Sequence, residues 1–186
     1  AGFSILQTCL LSLLLFSGAS QFAVVGIMGA GGSAISAIAT ATLLGFRNAL
    51  YGIQMAPILK VTGIKRILSA QITIDESTAV ATLQENDSDR RRGFYVTGIG
   101  VYVFWNLFTY LGALGASAIG DPAAWGLDAA VPAAFCGLVW PRIKKTREFL
   151  ITAAAIALAL LLTPIAPAGV PIITTVILAV IFGWKK

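Results

Sequence analysis

The stretch Arg47-Asn48-Ala49-Leu50-Tyr51-Gly52 stands at the end of an apolar segment that starts near Ser33. A guanidinium group at the centre of a bilayer costs roughly 2.5–3.5 kcal/mol on insertion scales, so an arginine in such a segment needs a partner or a function. At about 100° per residue, the polar residues of the segment fall within an arc of roughly 60°. They are Ser33, Ser36, Thr40, Arg47, Tyr51 and Gln54. The segment therefore predicts a membrane helix with one polar stripe, and Arg47 is its first candidate functional residue.

The composition of the whole chain indicates a membrane protein. Hydrophobic residues make up 58% of the 186 residues, charged residues 11%, and the mean hydropathy is +0.87. Soluble domains average about 45–50% apolar and about 25% charged residues. We therefore predict an all-α integral membrane protein with a single transmembrane domain over residues 1–186. The net charge of +5 lies in short loops, which the positive-inside rule explains without a nucleic-acid partner.

The apolar runs predict six to seven hydrophobic segments, some of them short, broken or re-entrant. Their approximate ranges are 3–28, 33–57, 67–83, 94–118, 127–140, 148–163 and 170–184. If the last four cross the bilayer, the basic loops near residues 90 and 142 and the C-terminus share one side, as the positive-inside rule requires.

The third segment, residues 67–83, does not fit a simple crossing. It would be about 25 Å long as a helix, which is short for a bilayer core of about 30 Å. It carries Asp75 and Glu76, and its polar residues lie on two faces. Basic residues flank it on both sides, with Lys60, Lys65 and Arg66 before it and Arg90-Arg91-Arg92 after it. We therefore expect both of its ends on the cytoplasmic side, so that the segment enters and leaves on the same side.

The sequence contains little that enzymatic chemistry needs. Histidine is absent, and we find no phosphate-binding glycine loop, no metal-ligand cluster and no nucleophile with a recognisable base. Asp75 and Glu76 are adjacent, so on a helix they diverge by about 100° and would not face one scissile bond. We expect no enzymatic activity, no metal and no cofactor.

Three further groups of polar or small residues are candidates, each with a structural alternative. Ser17, Gly18 and Gln21 fit close helix packing or the lining of a transport pathway. Asn106, deep in the fourth segment, fits helix contact and substrate contact equally well. Asp128 is placed to cap the fifth segment or to take part in charge pairing.

Four blocks of the sequence together resemble a known family. They are Ser17-Gly18-Ala19-Ser20-Gln21-Phe22, Arg47-Asn48-Ala49-Leu50-Tyr51-Gly52, Thr73-Ile74-Asp75-Glu76-Ser77 and Leu127-Asp128-Ala129-Ala130-Val131-Pro132-Ala133-Ala134-Phe135. In order and spacing they resemble the AzlC family of branched-chain amino acid exporters.

The resemblance implies a multi-pass permease subunit of the bacterial inner membrane. It also implies export of branched-chain amino acids such as valine or leucine, and a small, separately encoded hydrophobic partner of the AzlD type. Family members usually carry a further hydrophobic stretch before the block at Ser17, so we expect that a native N-terminal portion is missing here. A channel and a non-transport scaffold or assembly subunit are the alternative functions.

An amino acid substrate suggests roles for the charged residues. Arg47 could pair with the substrate carboxylate, and Asp75 or Glu76 could hold the ammonium group or carry a coupling proton. Asn48, Tyr51 and Gln21 would supply orienting hydrogen bonds. In the alternative interpretation, Arg47 pairs permanently with Asp75 or Glu76 and contributes only to folding.

Overall fold

The structure, a computed structural model, describes residues 1–120, 126, 129–140 and 143–184. Every regular element in this part of the chain is a helix, which confirms the predicted all-α class. The elements are α1 (Ile5–Leu14), α2 (Gly18–Gly29), α3 (Ala34–Leu59), α4 (Gly63–Gln71), α5 (Asp75–Thr82), α6 (Asp87–Ile119), α7 (Ala130–Val139), α8 (Thr146–Leu162) and α9 (Val170–Trp184).

The first predicted segment is two helices rather than one continuous helix. Helix α1 begins with a capping box, in which the side chains of Ser4 and Gln7 each bond the other's backbone N–H. It ends at Leu14, and residues 15–17 separate it from α2; we call them the first break. The 10 residues of α1 span about 15 Å, half of a bilayer core.

Helices α3 and α6 are the long elements. Helix α3 has 26 residues and places Arg47 near its middle. Helix α6 has 33 residues. Within the described residues, one helix, at Asp87–Ala116, is long and apolar enough to cross a membrane.

The third predicted segment is also broken, into α4 and α5, with residues 72–74 between them. We call residues 72–74 the second break. The Ser77 hydroxyl lies in this break, where it donates to the carbonyl of Ile72 (2.9 Å) and accepts from the N–H of Ile74 (3.1 Å). One side chain therefore satisfies a backbone acceptor and a backbone donor that a continuous helix would have paired internally.

The two ends of the α4–α5 segment lie side by side. Lys60 Nζ, before α4, is 3.8 Å from Asp87 Oδ2, after α5. Arg91 Nε, in the first turns of α6, donates to the carbonyl of Ile58 at 2.9 Å. A segment whose ends meet in this way returns to where it started, while the side of the membrane on which both ends lie stays a prediction.

The second break packs closely against α6. A Cβ atom added at Gly98 of α6 would lie 3.0 Å from the carbonyl oxygen of Ile72 and 3.2 Å from its side chain. The same region holds a buried core cluster made of Met55, Leu59, Ile72, Ala81 and Phe94. The α4–α5 segment is thus held by apolar packing against α3 and α6.

The chain divides into two compact units. One comprises Ala1, Phe22–Ala41 and Ala116–Lys186, and the other comprises Gly2–Gln21 and Thr42–Gly115. The prediction of a single domain over residues 1–186 stays a prediction.

The unit that contains the C-terminal part of the chain is organised around α8 and α9, which pack against each other. The turn at residues 163–169, which contains Pro164 and Pro167, lies between them. Gly169, at its end, has φ +94°, a conformation that glycine adopts without steric cost. An added Cβ there would lie 2.9 Å from the side chain of Ile27, so the close approach also requires glycine.

We expect cysteines at positions 62 and 88 to be labelled from the same side of the membrane. Both Thr62 and Ser88 are exposed. The experiment replaces the native Cys9 and Cys136, introduces Thr62→Cys or Ser88→Cys, and adds an impermeant maleimide to sealed vesicles of each orientation. Labelling of the two positions from opposite sides would show that the α4–α5 segment crosses.

Gly98→Ala is expected to destabilise the protein by about 1–3 kcal/mol, because the new methyl group meets the backbone of the second break. Gly100→Ala is the matched control, since nothing lies within 4 Å of its added Cβ. The control should be neutral or stabilising by about 0.5–1 kcal/mol. Thermal unfolding in detergent measures the stability of both variants. Equal unfolding midpoints for Gly98→Ala and Gly100→Ala would contradict the close packing at Gly98.

Candidate functional site

The two helix breaks meet through the side chain of Gln71. Its Nε2 atom donates to the carbonyl of Leu13 at 2.9 Å and to that of Leu14 at 3.3 Å. These carbonyls lie at the end of α1, where the helix leaves its last acceptors without N–H donors. The hydroxyl of Tyr102 on α6 also donates to Leu13, at 3.1 Å. The end of α4 and the middle of α6 therefore stabilise the first break.

Gln21 also stabilises the first break. Its Nε2 donates to the carbonyl of Leu15, and its Oε1 accepts a hydrogen bond from Trp105 Nε1 at 2.9 Å. Gln21 is buried, and both ends of its amide are engaged within the protein. These bonds favour the structural interpretation of Gln21, in which it ties α2 to α6.

Gly18 is in close contact with the same tryptophan. A Cβ atom added at Gly18 would lie 2.9 Å from Cη2 and 3.3 Å from Cζ2 of Trp105. Glycine at this position lets the backbone of α2 approach the indole ring closely. Gly18 therefore has a clear packing role.

Arg47 forms an ion pair with Asp75. The Nη1 atom of Arg47 lies 2.9 Å from Oδ2 of Asp75, the first residue of α5. The two side chains are 32% and 23% exposed, so the pair is accessible from one side. Of the two carboxylates that the sequence offered to Arg47, the structure pairs it with Asp75, while Glu76 is exposed. Asp75 also places a negative charge at the N-terminus of α5, where the helix dipole favours it.

Six buried side-chain polar atoms have no hydrogen-bond partner within the described part of the chain. Four of them belong to candidate site residues, namely Ser17 Oγ, Arg47 Nε, Asn48 Oδ1 and Asn106 Oδ1; the other two are Thr40 Oγ1 and Thr78 Oγ1. Most buried polar groups in proteins are paired, so each of these atoms requires an explanation. Thr78 lies one turn after Asp75 on α5, and Asn48 follows Arg47 on α3. Unpaired polar atoms therefore concentrate on the elements that carry the ion pair.

The remaining candidates differ in what the structure shows. Asn106 donates from Nδ2 to the carbonyl of Tyr102 at 2.8 Å, so its amide is only half engaged. Tyr51 lies one turn after Arg47 on α3 and is partly exposed. Asp128 lies outside the described residues.

Sequence reasoning missed the roles of Gln71, Ser77, Tyr102 and Trp105. Tyr102 and Trp105 lie in the predicted fourth segment, and Gln71 and Ser77 are polar residues of the predicted third segment. The missing information was the position of the breaks, because a polar residue bonds a free carbonyl only where a helix ends nearby.

Within the described residues, no group of three or more Cys, Asp or Glu side chains is placed to hold a metal ion.

Together the structure and the sequence define the class: an all-α membrane protein with two interrupted helices and an ion pair at the second interruption. The AzlC protein family model matches residues 1–119. The chain therefore belongs to the AzlC family, as the four sequence blocks predicted. The matched range contains both breaks and the ion pair.

A curated relative agrees with this assignment. The chain is 29% identical over 167 residues to the inner membrane protein YgaZ of Escherichia coli (strain K12). The match covers 83% of this chain and 66% of that protein, slightly less than two thirds of the relative's length. No solved structure matches the chain. Family and relative together indicate a protein located in a membrane.

Gly18→Ala is expected to destabilise the protein by about 1–3 kcal/mol, because the methyl group would overlap the Trp105 ring. The ring cannot easily turn away, since its Nε1–H is bonded to Gln21. Gly26→Ala in the same helix is the matched control, with nothing within 4 Å of its added Cβ. The measurement is the unfolding midpoint in detergent; a midpoint for Gly18→Ala at or above that of the control would contradict the contact.

Proposed function

We propose that the chain is the large subunit of a secondary exporter of branched-chain amino acids, multi-pass in a bacterial inner membrane. The observation that carries the proposal is the partly exposed Arg47–Asp75 pair at the second helix break. Interrupted helices near the middle of the bilayer are the usual location of substrate and ion sites in secondary transporters.

A free amino acid is chemically matched to this pair. It carries one carboxylate and one ammonium group, so it can exchange places with the internal contact: its carboxylate binds Arg47 and its ammonium binds Asp75. Arg47 uses Nη1 in the present contact, and its buried Nε has no partner among the described residues. A guanidinium group can hold a carboxylate through two parallel bonds, one from Nε and one from Nη2.

The neighbouring residues supply the rest of the site in this proposal. Ser17, Asn48 and Asn106 each keep a buried polar atom without a partner within the described chain, and these atoms would line the polar part of the pathway together with Tyr51. An aliphatic side chain needs only apolar contacts and space, which small residues on α2 and α3 provide.

Coupling would use the same carboxylate. When Asp75 binds a proton it no longer attracts Arg47 or an ammonium group, so protonation would release the substrate and loosen the pair. Intramembrane carboxylates serve this role in many transporters. We propose this mechanism in place of an enzymatic activity, and we propose a small hydrophobic AzlD-like subunit as the partner.

Counterflow in proteoliposomes tests the function. The chain is reconstituted with and without the AzlD-like subunit, loaded with unlabelled leucine, and labelled leucine or valine is added outside. We expect labelled substrate to accumulate transiently, and Arg47→Lys to lower the rate at least about tenfold, because a charge-assisted hydrogen bond contributes about 1.5–3 kcal/mol. Arg92→Lys is the matched control, since Arg92 is exposed at the start of α6, and it should transport normally.

Paired neutralisation separates substrate binding from a purely structural ion pair. Arg47→Ala alone leaves Asp75 without its partner and should lower the amount of folded protein. Arg47→Ala combined with Asp75→Asn removes both charges, so the amount of folded protein should be higher than for Arg47→Ala alone, while counterflow stays absent. If the double variant transports normally, the pair is structural and the binding proposal is wrong. Flux of labelled leucine without transient accumulation would instead indicate a channel. Counterflow of alanine or lysine but not of leucine would overturn the substrate class.

A further inference from the structure

A cavity lies between α4 and α6, separate from the Arg47–Asp75 pair. Its volume is about 670 Å³, within the range of about 300–1,000 Å³ that small-molecule sites occupy. We call it the α4–α6 cavity. Its walls are mainly apolar and include Leu68 of α4 and Ile99 of α6. Both of these side chains are exposed, at 61% and 53%, so the cavity opens at the surface of the membrane domain.

The two ends of the cavity differ in chemistry. Lys65 and Arg91 lie among its lining residues at the end near the loops. Arg91 uses Nε to bond the carbonyl of Ile58, and neither Arg91 nor Lys65 forms an ion pair with a described residue. At the other end the lining reaches Tyr102, eleven residues further along α6 and about 16 Å away by helical rise. The cavity therefore combines a positive end with a long apolar wall.

The charge at one end of the cavity decides between two apolar occupants, an acyl chain and a helix of a partner protein. Lys65 and Arg91 line that end and form no ion pair with a described residue, so the matching occupant carries a negative charge. An acyl chain attached to an anionic headgroup complements both the apolar wall and the charged end.

We infer that the α4–α6 cavity binds an anionic phospholipid, with the phosphate against Lys65 and Arg91 and one acyl chain along Leu68 and Ile99. Basic pockets between membrane helices on the cytoplasmic side are a recurring way to hold such headgroups. The loop charges place Lys65 and Arg91 on that side. The inference is independent of which substrate the protein transports.

The bound lipid would also stabilise the α4–α5 segment. The hydrogen bond between Ser69 and Tyr95 (2.9 Å) joins α4 to α6, and both residues line the cavity. A lipid in the cavity would add contacts to the same two helices. Since Gln71 at the end of α4 supports the first break, occupancy would favour the arrangement in which the two breaks meet.

Native mass spectrometry on the delipidated full chain in neutral detergent tests the proposal. The probes are phosphatidylglycerol, phosphatidylcholine with the same acyl chains, and inorganic phosphate. We expect phosphatidylglycerol to bind more tightly than phosphatidylcholine. Lys65→Gln should weaken phosphatidylglycerol binding about fivefold, since one basic residue near an anionic lipid contributes about that factor. Arg66→Gln, at the neighbouring position, is the matched control, because Arg66 lines a different cavity, and it should change nothing.

A second variant tests the acyl-chain part of the site. Ile99→Trp fills the apolar wall without altering charge, so it should weaken binding of both lipids, and it remains informative if Lys65→Gln does not fold. Equal binding of the two lipids, an equal loss in Lys65→Gln and Arg66→Gln, or unchanged binding in Ile99→Trp would each overturn the proposal. Inorganic phosphate that competes as strongly as the lipid would show a simple anion site. Displacement of the lipid by a small hydrophobic subunit that crosslinks to position 99 would show a protein-docking surface instead.

Discussion

Two interrupted helices create the main physical constraint on this structure, because each interruption leaves backbone carbonyls without an intrahelical N–H donor. In a membrane no water is available to pair with them, so the protein must supply the donors. Side chains do so here: Gln71 and Tyr102 bond Leu13, and Ser77 bonds Ile72. These bonds determine which helices must be neighbours, and α6 is bonded to α1, α2 and α4.

The same constraint brings charge into the middle of the unit formed by Gly2–Gln21 and Thr42–Gly115. Helix α5 starts at the second break, so its N-terminus lies inside the structure and carries Asp75. A carboxylate at that position is favoured by the helix dipole and can partner Arg47 of α3. The cost of an arginine in an apolar segment is thereby offset. The pair keeps an exposed side.

The polar residues of this unit divide into two groups. Gln21, Gln71, Ser77 and Tyr102 bond backbone groups or fixed side chains, and they hold the breaks in place. Ser17, Asn48 and Asn106 keep buried polar atoms that no described residue satisfies. The first group makes the structure possible, and the second is the group from which substrate contacts are expected. Gln21, a pathway candidate by sequence, belongs to the first group.

The sequence by itself determined the all-α membrane class, the approximate ranges of most segments and the family, because hydropathy and block order are local properties. The sequence also left two possible ion-pair partners for Arg47, Asp75 and Glu76. Only the tertiary structure selected Asp75, because the break at residues 72–74 sets where α5 begins and which side chain faces α3.

The interruption after Leu14 was likewise invisible in a continuous apolar run. Its stability depends on donors from residues 57 to 89 positions away, Gln71 and Tyr102, and no local pattern records such distant contacts.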